Sequence, residues 1–322
     1  MVDFSLLRLS PHLTPRPWGG VRLGSALHKP VPQGELIGES WELSDHPDGP
    51  SKIAGGPFDG KLFGDILRDH PREMIGRPVA PKKFPLLVKY IDAREDLSIQ
   101  VHPDDEYNQR MGIEDRGKTE CWFILDCAEG AEVIYGLREG TTRGDLERAI
   151  ENKTVPDCIR RVPIVPGTFL FVPPGTVHAI LGGTLLCEIQ QSSNITFRLW
   201  DWDRKPERTL QIEPSLDVIR FENDTTPQPL HIDPPKGDEP DVLLLTDNPF
   251  FKVRAVRLPS ETSLNLSGSG HGVIVNGVGG AASVNAEAIG YGETLFVPAA
   301  IPEFKVSAGD SPSILLLSES NE

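Results

Sequence analysis

Residues 167–178 read Gly167-Thr168-Phe169-Leu170-Phe171-Val172-Pro173-Pro174-Gly175-Thr176-Val177-His178. This is a short apolar run opened by glycine and closed by a Pro-Pro-Gly turn, which delivers a histidine at the start of the next run. It lines up without a gap against Gly292-Glu293-Thr294-Leu295-Phe296-Val297-Pro298-Ala299-Ala300-Ile301-Pro302-Glu303. A shared glycine followed by Leu/Phe-Phe-Val-Pro points to a repeated β unit whose second copy carries Glu303 in place of His178. Outward from this pair, 30 prolines and 31 glycines punctuate further apolar runs at 84–91, 241–245 and 313–317. Many short runs bounded by Gly or Pro form the pattern of sandwiches and barrels, so the chain is expected to be mostly β.

Helical spacing is sparse. Leu62, Phe63, Ile66 and Leu67 suggest a helix over 60–72, Thr142 is placed to cap one over 142–151, and Asp104 and Asp105 suit the start of a third over 104–111. The polar, proline-rich stretch 222–240 reads as a linker or crossover. The expected organisation is a first β unit with small helical insertions over 1–225, a connection at 226–240 and a smaller second β unit over 241–322.

The 322 residues carry 32 Lys and Arg against 47 Asp and Glu, a formal charge of −15. That balance argues against sequence-independent nucleic-acid binding, which needs a basic face to displace counterions. No apolar run approaches the roughly 20 residues of a membrane helix, and the start of the sequence lacks a secretory signal pattern. A cytoplasmic location, with no membrane or nucleic-acid partner, is the expectation. Cys121, Cys127, Cys158 and Cys187 contain no C-x-x-C pair, so reduced packing thiols are expected.

Candidate chemistry follows from strand period. Over residues 97–102, alternation puts Ser98, Gln100 and His102 on one face and Leu97, Ile99 and Val101 on the other. The same period aligns Lys118 with Glu120 beside Trp122, and Glu188 with Gln190. A divalent transition metal takes a few nitrogen and oxygen donors converging from separate rigid elements, and Gln100, His102, Glu120 and His178 supply them without a thiolate. Plainer readings compete: a lone histidine is more often a hydrogen-bonded structural residue, Glu120 and Lys118 could be a surface ion pair worth roughly 0–1 kcal/mol, and the five tryptophans could be packing. His12, His28, His46, His70, His231 and His271 have no ligand constellation.

Together, Gln100-Val101-His102-Pro103-Asp104, Lys118-Thr119-Glu120, Pro174-Gly175-Thr176-Val177-His178, and Glu188 with Arg198 ten positions on resemble the type I mannose-6-phosphate isomerase family. Pro17-Trp18-Gly19-Gly20 and Gly38-Glu39-Ser40-Trp41-Glu42 are similar to family segments, and the Gly-x5-Pro-x-Gly-x2-His run is similar to the second motif of the wider cupin superfamily. The resemblance spans about residues 17–204. It implies a cupin-type β-barrel or jelly roll, here as two barrel units with the second degenerate and without metal. It further implies one catalytic Zn²⁺ per chain, held by Gln100, His102, Glu120 and His178. Lys118, Glu188 and Arg198 would be catalytic, and Lys89, Ser98 and Arg198 would hold the sugar phosphate, in a monomer or homodimer.

The implied reaction interconverts mannose 6-phosphate and fructose 6-phosphate by moving a proton between C1 and C2 through a cis-enediol, with Lys118 and Glu188 both open as the base. The sequence departs from the family in having Gly117 before the lysine and Thr119 before the glutamate, where many relatives carry His and Pro, and in lacking a large helical insertion. Two alternatives remain at this level: a non-haem iron oxygenase using His102, Glu120 and His178, and a sugar-phosphate-binding cupin without turnover.

Overall fold

The computed structural model describes residues 4–221, 227–268 and 270–322. Strands dominate and pair antiparallel into four sheets. The first seven-stranded sheet runs, edge to edge, through Leu230–His231, Thr168–Val172, Glu120–Cys127, Thr184–Gln191, Leu86–Ala93, His12–Gly20 and Ile37–Leu43. Facing it is a five-stranded sheet of Phe197–Trp200, Ile99–Val101, His178–Ile180, Glu132–Leu137 and Ile159–Pro163. Trp122, Ile124 and Leu186 from one and Val133, Tyr135 and Ile180 from the other share a core, which makes this pair a sandwich.

A second sandwich repeats the plan. Its seven-stranded sheet contains Asp241–Asp247, Phe251–Leu258, Ser313–Ser320, Val273–Gly279, Thr294–Val297, Leu7–Ser10 and Lys52–Ala54. Its four-stranded partner contains Ser263–Ser267, Glu303–Ala308, Ala282–Val284 and Glu287–Ile289. The two large sheets pack back to back through a third apolar core that includes Tyr90, Phe123 and Phe169 on one side and Phe251, Ile274 and Phe296 on the other. The result is a layered, cupin-like β fold of open sheets stacked four deep.

The duplication read from residues 167–178 extends beyond the matched letters. Gly167 and Gly292 both take a positive φ, 86° and 82°, which glycine tolerates without steric cost. Thr168 N–H donates to Val165 and Glu293 N–H to Gly290, while Thr176 donates to Pro173 and Ile301 to Pro298, so both turns recur at the same offset. The partner strands even share a bulge. Register slips between Leu186–Ile124 and Leu185–Asp126 in the first sandwich, and between Leu315–Gly277 and Ile314–Gly279 in the second.

The boundary expected at 225/226 lies outside the described residues. The division is also not one of contiguous chain: Leu7–Ser10 and Lys52–Ala54, from the N-terminal part, complete the sheet of the C-terminal unit, and Leu230–His231 from the expected linker pairs with Thr168 and Phe169. The helix expected over 60–72 is two helices, Phe63–Asp69 and Pro71–Ile75, because the residue before a proline is driven out of helical backbone; His70 sits at φ −135°, ψ 55°. Asp104 caps Asp105–Met111 by accepting from Tyr107 N–H, and Thr142 forms a full capping box with Asp145 over Arg143–Glu151. These helices and Ile212–Val218 cover the outer face of the five-stranded sheet, burying Tyr107, Leu146 and Leu216 against Ile99 and Val101. All four cysteines are free thiols.

Candidate metal centre and active-site cleft

Three elements of the first sandwich converge on its interior. Glu120 opens an interior strand of the large sheet, His178 opens a strand of the small sheet directly opposite Gln100, and His102 follows the strand that carries Gln100. His102 and His178 bring their Nε2 atoms within 3.2 Å of each other, and Glu120 lies 3.6 Å from the first and 3.4 Å from the second. Gln100 Nε2 is 3.2 Å from His178 Nε2, and turning the amide over puts its oxygen there instead. One potential ligand atom from each of His102, Glu120 and His178 lies within 4.8 Å of the others, and all three residues are buried.

This arrangement fits a divalent cation. The Thr176 carbonyl, 2.9 Å away, accepts from His178 Nδ1 and so leaves Nε2 as a bare lone pair aimed at the cluster. Glu120 Oε1 is buried and has no hydrogen-bond partner among the described residues. Two inward imidazole nitrogens and an unsatisfied carboxylate oxygen in one buried space are costly unless a cation joins them. Burial, reinforced by Lys118, holds the imidazole of His102 well below its usual range; burial likewise takes His178 down to about 4, so both imidazoles are neutral at pH 7. Burial and the nearby Glu188 push Glu120 up to about 7.

Lys118 stands at the junction of this centre and a cleft. Its Nζ lies 2.7 Å from Glu120, 3.2 Å from His102 Nε2 and 3.8 Å from Glu188. Burial lowers its proton affinity, but Glu120 and Glu188 outweigh that and raise it, so the ammonium form is held. Glu188 also meets Lys89 at 3.3 Å and accepts from the Trp122 indole at 3.1 Å. Burial would raise its carboxyl, yet Lys118 and Lys89 bring it below the usual range. Lys118 and Glu120 are both buried, so the pair is not the surface ion pair of the plain reading.

The cleft beyond has a volume of about 350 Å³. Arg16, Lys89, Lys118, Arg198 and Arg208 line it against Glu39 and Glu188, a cationic excess inside a protein of charge −15. Arg198 donates to Ser98 Oγ at 3.3 Å and to the Thr209 carbonyl at 2.8 Å, which fixes the guanidinium on one wall; Ser98 in turn donates to Gln100. The structure thus gathers every residue singled out from sequence, Lys89, Ser98, Gln100, His102, Lys118, Glu120, His178, Glu188 and Arg198, at one end of one sandwich.

Two details differ from the strand reading. Leu97 does not share the face of Ile99 and Val101: regular pairing begins at Ile99, and Leu97 lies in the cleft wall with Ser98. Arg16 and Arg208 line the cleft without a signal in the sequence, and Glu39, quoted above only within a family segment, lines it too. Glu39 accepts from Arg16 at 2.9 Å and from the Trp41 indole at 2.8 Å; burial would raise its carboxyl, but Lys89 and Arg16 take it down to about 2. Lys89 also lies over the Trp41 ring, 4.9 Å from its centroid. The available signal was an acid inside a seven-residue strand, Ile37–Leu43, that is buried throughout. Trp41 and Trp122, read as packing, also hold the two cleft carboxylates.

Among known families, the model describing the catalytic domain of type I phosphomannose isomerase matches residues 6–123. The probable mannose-6-phosphate isomerase GmuF of Bacillus subtilis is 44% identical over 217 residues, covering 66% of this chain and 68% of that protein. The crystal structure of a mannose 6-phosphate isomerase from Bacillus subtilis superposes with a TM-score of 0.81 at 30% identity, covering 98% of this chain and 99% of that one. A mannose 6-phosphate isomerase solved with zinc and yttrium shares the fold at a TM-score of 0.73 and 17% identity, covering 97% and 99%. From the matched catalytic-domain model, the extent of the GmuF identity and the full-length structural agreement, the chain belongs to the type I phosphomannose isomerase family.

Proposed function

We propose that this chain is a zinc-dependent aldose–ketose isomerase that interconverts mannose 6-phosphate and fructose 6-phosphate, with one zinc per chain held by Gln100, His102, Glu120 and His178. The observation that carries the reading is the shared wall between the metal-fitting cluster and the cationic cleft, formed by Lys118 at 3.2 Å from His102 and 3.8 Å from Glu188. A set of nitrogen and oxygen donors without thiolate suits zinc, and a bound ion would supply Lewis-acid polarisation of sugar oxygens.

The chain's own residues would do the rest. Arg198, anchored through Ser98 and Thr209, and Lys89 bind and orient the anionic substrate. Lys118 and Glu188 are the candidates to carry the proton between C1 and C2 through the cis-enediol, with Lys118 and Arg198 stabilising the negative charge that develops on the sugar oxygens. Trp122 fixes the Glu188 carboxylate from behind. The non-haem iron reading uses the same His102, Glu120 and His178, but the cationic cleft beside them favours a phosphorylated substrate.

The test is a coupled assay for fructose 6-phosphate formed from mannose 6-phosphate, run on metal-stripped protein and again after zinc is restored. Activity absent in the first and regained in the second is expected. Stoichiometric iron with oxygen consumption and no sugar-phosphate conversion would overturn the proposal, and binding of the sugar phosphate by zinc-loaded protein without turnover would reduce it to the non-catalytic alternative.

A further inference from the structure

A second cavity, of about 220 Å³, opens on the other side of the turn that leads into His178 and, among the described residues, shares no lining residue with the cleft. Arg138, Arg160 and Arg220 line it together with Gly175 and Thr176, and Glu139 is the carboxylate among the described lining residues. We propose that this cavity is a second anion site, built for a phosphate group either free or carried on a small ester.

The geometry is constructed rather than incidental. Gly175 has φ +81°, and a Cβ there would lie 2.7 Å from Arg220 Cγ, so only glycine lets the Arg220 chain lie across the turn. Arg220 N–H donates to the Gly175 carbonyl at 3.1 Å and locks that crossing. Arg138 donates its Nε to the Ile159 carbonyl at 3.2 Å, which orients the guanidinium and leaves its terminal amino groups to an incoming oxyanion. Arg220 reaches Asp104 only at 3.5 Å, in a half-exposed pair that an anion can displace. Thr176 lines the cavity as well, and among the described residues its buried hydroxyl has no hydrogen-bond partner. Guanidinium groups and a hydroxyl are the donors a tetrahedral oxyanion takes. Thr176 also offers its carbonyl to His178 Nδ1, so occupancy here would touch the residue that orients a metal ligand.

The test is equilibrium dialysis of metal-loaded, full-length protein with labelled inorganic phosphate and, separately, glycerol phosphate. Two phosphate sites are expected. The double variant Arg138→Gln/Arg220→Gln should weaken one of them about tenfold or more, Thr176→Val should weaken the same one, and Arg198→Gln should remove only the other. Tighter binding of glycerol phosphate at the affected site would mark an ester as the ligand, and weaker binding the free ion. Unchanged stoichiometry and affinity in both the double variant and Thr176→Val, or a lone site abolished by Arg198→Gln, would overturn the proposal.

Discussion

The two sandwiches share a register and differ in what fills it. Val172 pairs with Glu120 in the first, where its counterpart Val297 pairs with Val273 in the second. Leu170 opposes Trp122 and Trp122 opposes Glu188; Leu295 opposes Val275 and Val275 opposes Leu317. His178 faces Gln100, and Glu303 faces Ser267. The second interior is therefore closed by Val273, Val275 and Leu317, all buried, while Glu303 points to solvent. The first spends the same positions on a carboxylate, an indole and a second carboxylate around a cleft. The pairing scheme tolerates either content, so chemistry was placed on the scaffold at fixed lattice points, at a cost in apolar packing that the second sandwich does not bear.

The sharpest way to break this contrast is to make equivalent changes in the two halves. His178→Ala should abolish stoichiometric metal binding and lower turnover by more than about a thousandfold, since both the ligand and what it orients are lost. Glu303→Ala, at the counterpart position, should change neither; metal analysis beside the coupled assay reads both. Next in size, Glu188→Gln and Lys118→Met should each lower kcat by about 10²–10⁴-fold while metal content stays near one per chain. Loss of zinc in Lys118→Met as large as in His178→Ala would show that Lys118 belongs to the metal centre and not to the cleft.

In the second sandwich the expected currency is stability. Leu317→Ala removes a side chain that is 1% exposed and should cost about 2–5 kcal/mol in denaturant unfolding, with kcat unchanged in the folded protein. The charged interior should instead betray itself through pH. Glu39, at about 2 in the folded state against 4.5 in the open chain, contributes stability that is complete above pH 4.5 and lost as the pH falls through 2. Glu39→Gln should therefore cost up to about 3 kcal/mol at pH 7, and the deficit should close between pH 4.5 and 2. A deficit that persists at pH 2 would mean Glu39 acts through packing.

Most of the site was legible because a strand presents alternate residues to one face: Lys118 and Glu120 needed only that rule, and His178 only the turn before it. Leu97 was misplaced because the rule applies only where pairing has begun, and sequence does not mark where a ladder starts. Glu39 and Arg16 stayed hidden because what distinguishes them is the company of Lys89 and Trp41, brought across the sheet by register. The single helix drawn over 60–72 underrated Pro71. The contiguous two-unit division overlooked Leu7–Ser10 and Lys52–Ala54, whose alternating apolar residues say that a strand exists but not which sheet it joins.

That last feature governs how the molecule can be assembled. Leu7 pairs with Phe296, and Arg8 bonds to Glu287 across 279 residues of sequence. Leu7–Ser10 can pair early with Lys52–Ala54, but a chain emerging from the ribosome leaves its other edge open until Thr294–Val297 has been made, and closing so distant a contact is slow. During that interval an apolar edge is open to the wrong neighbour, a liability that early capture by a chaperone would relieve.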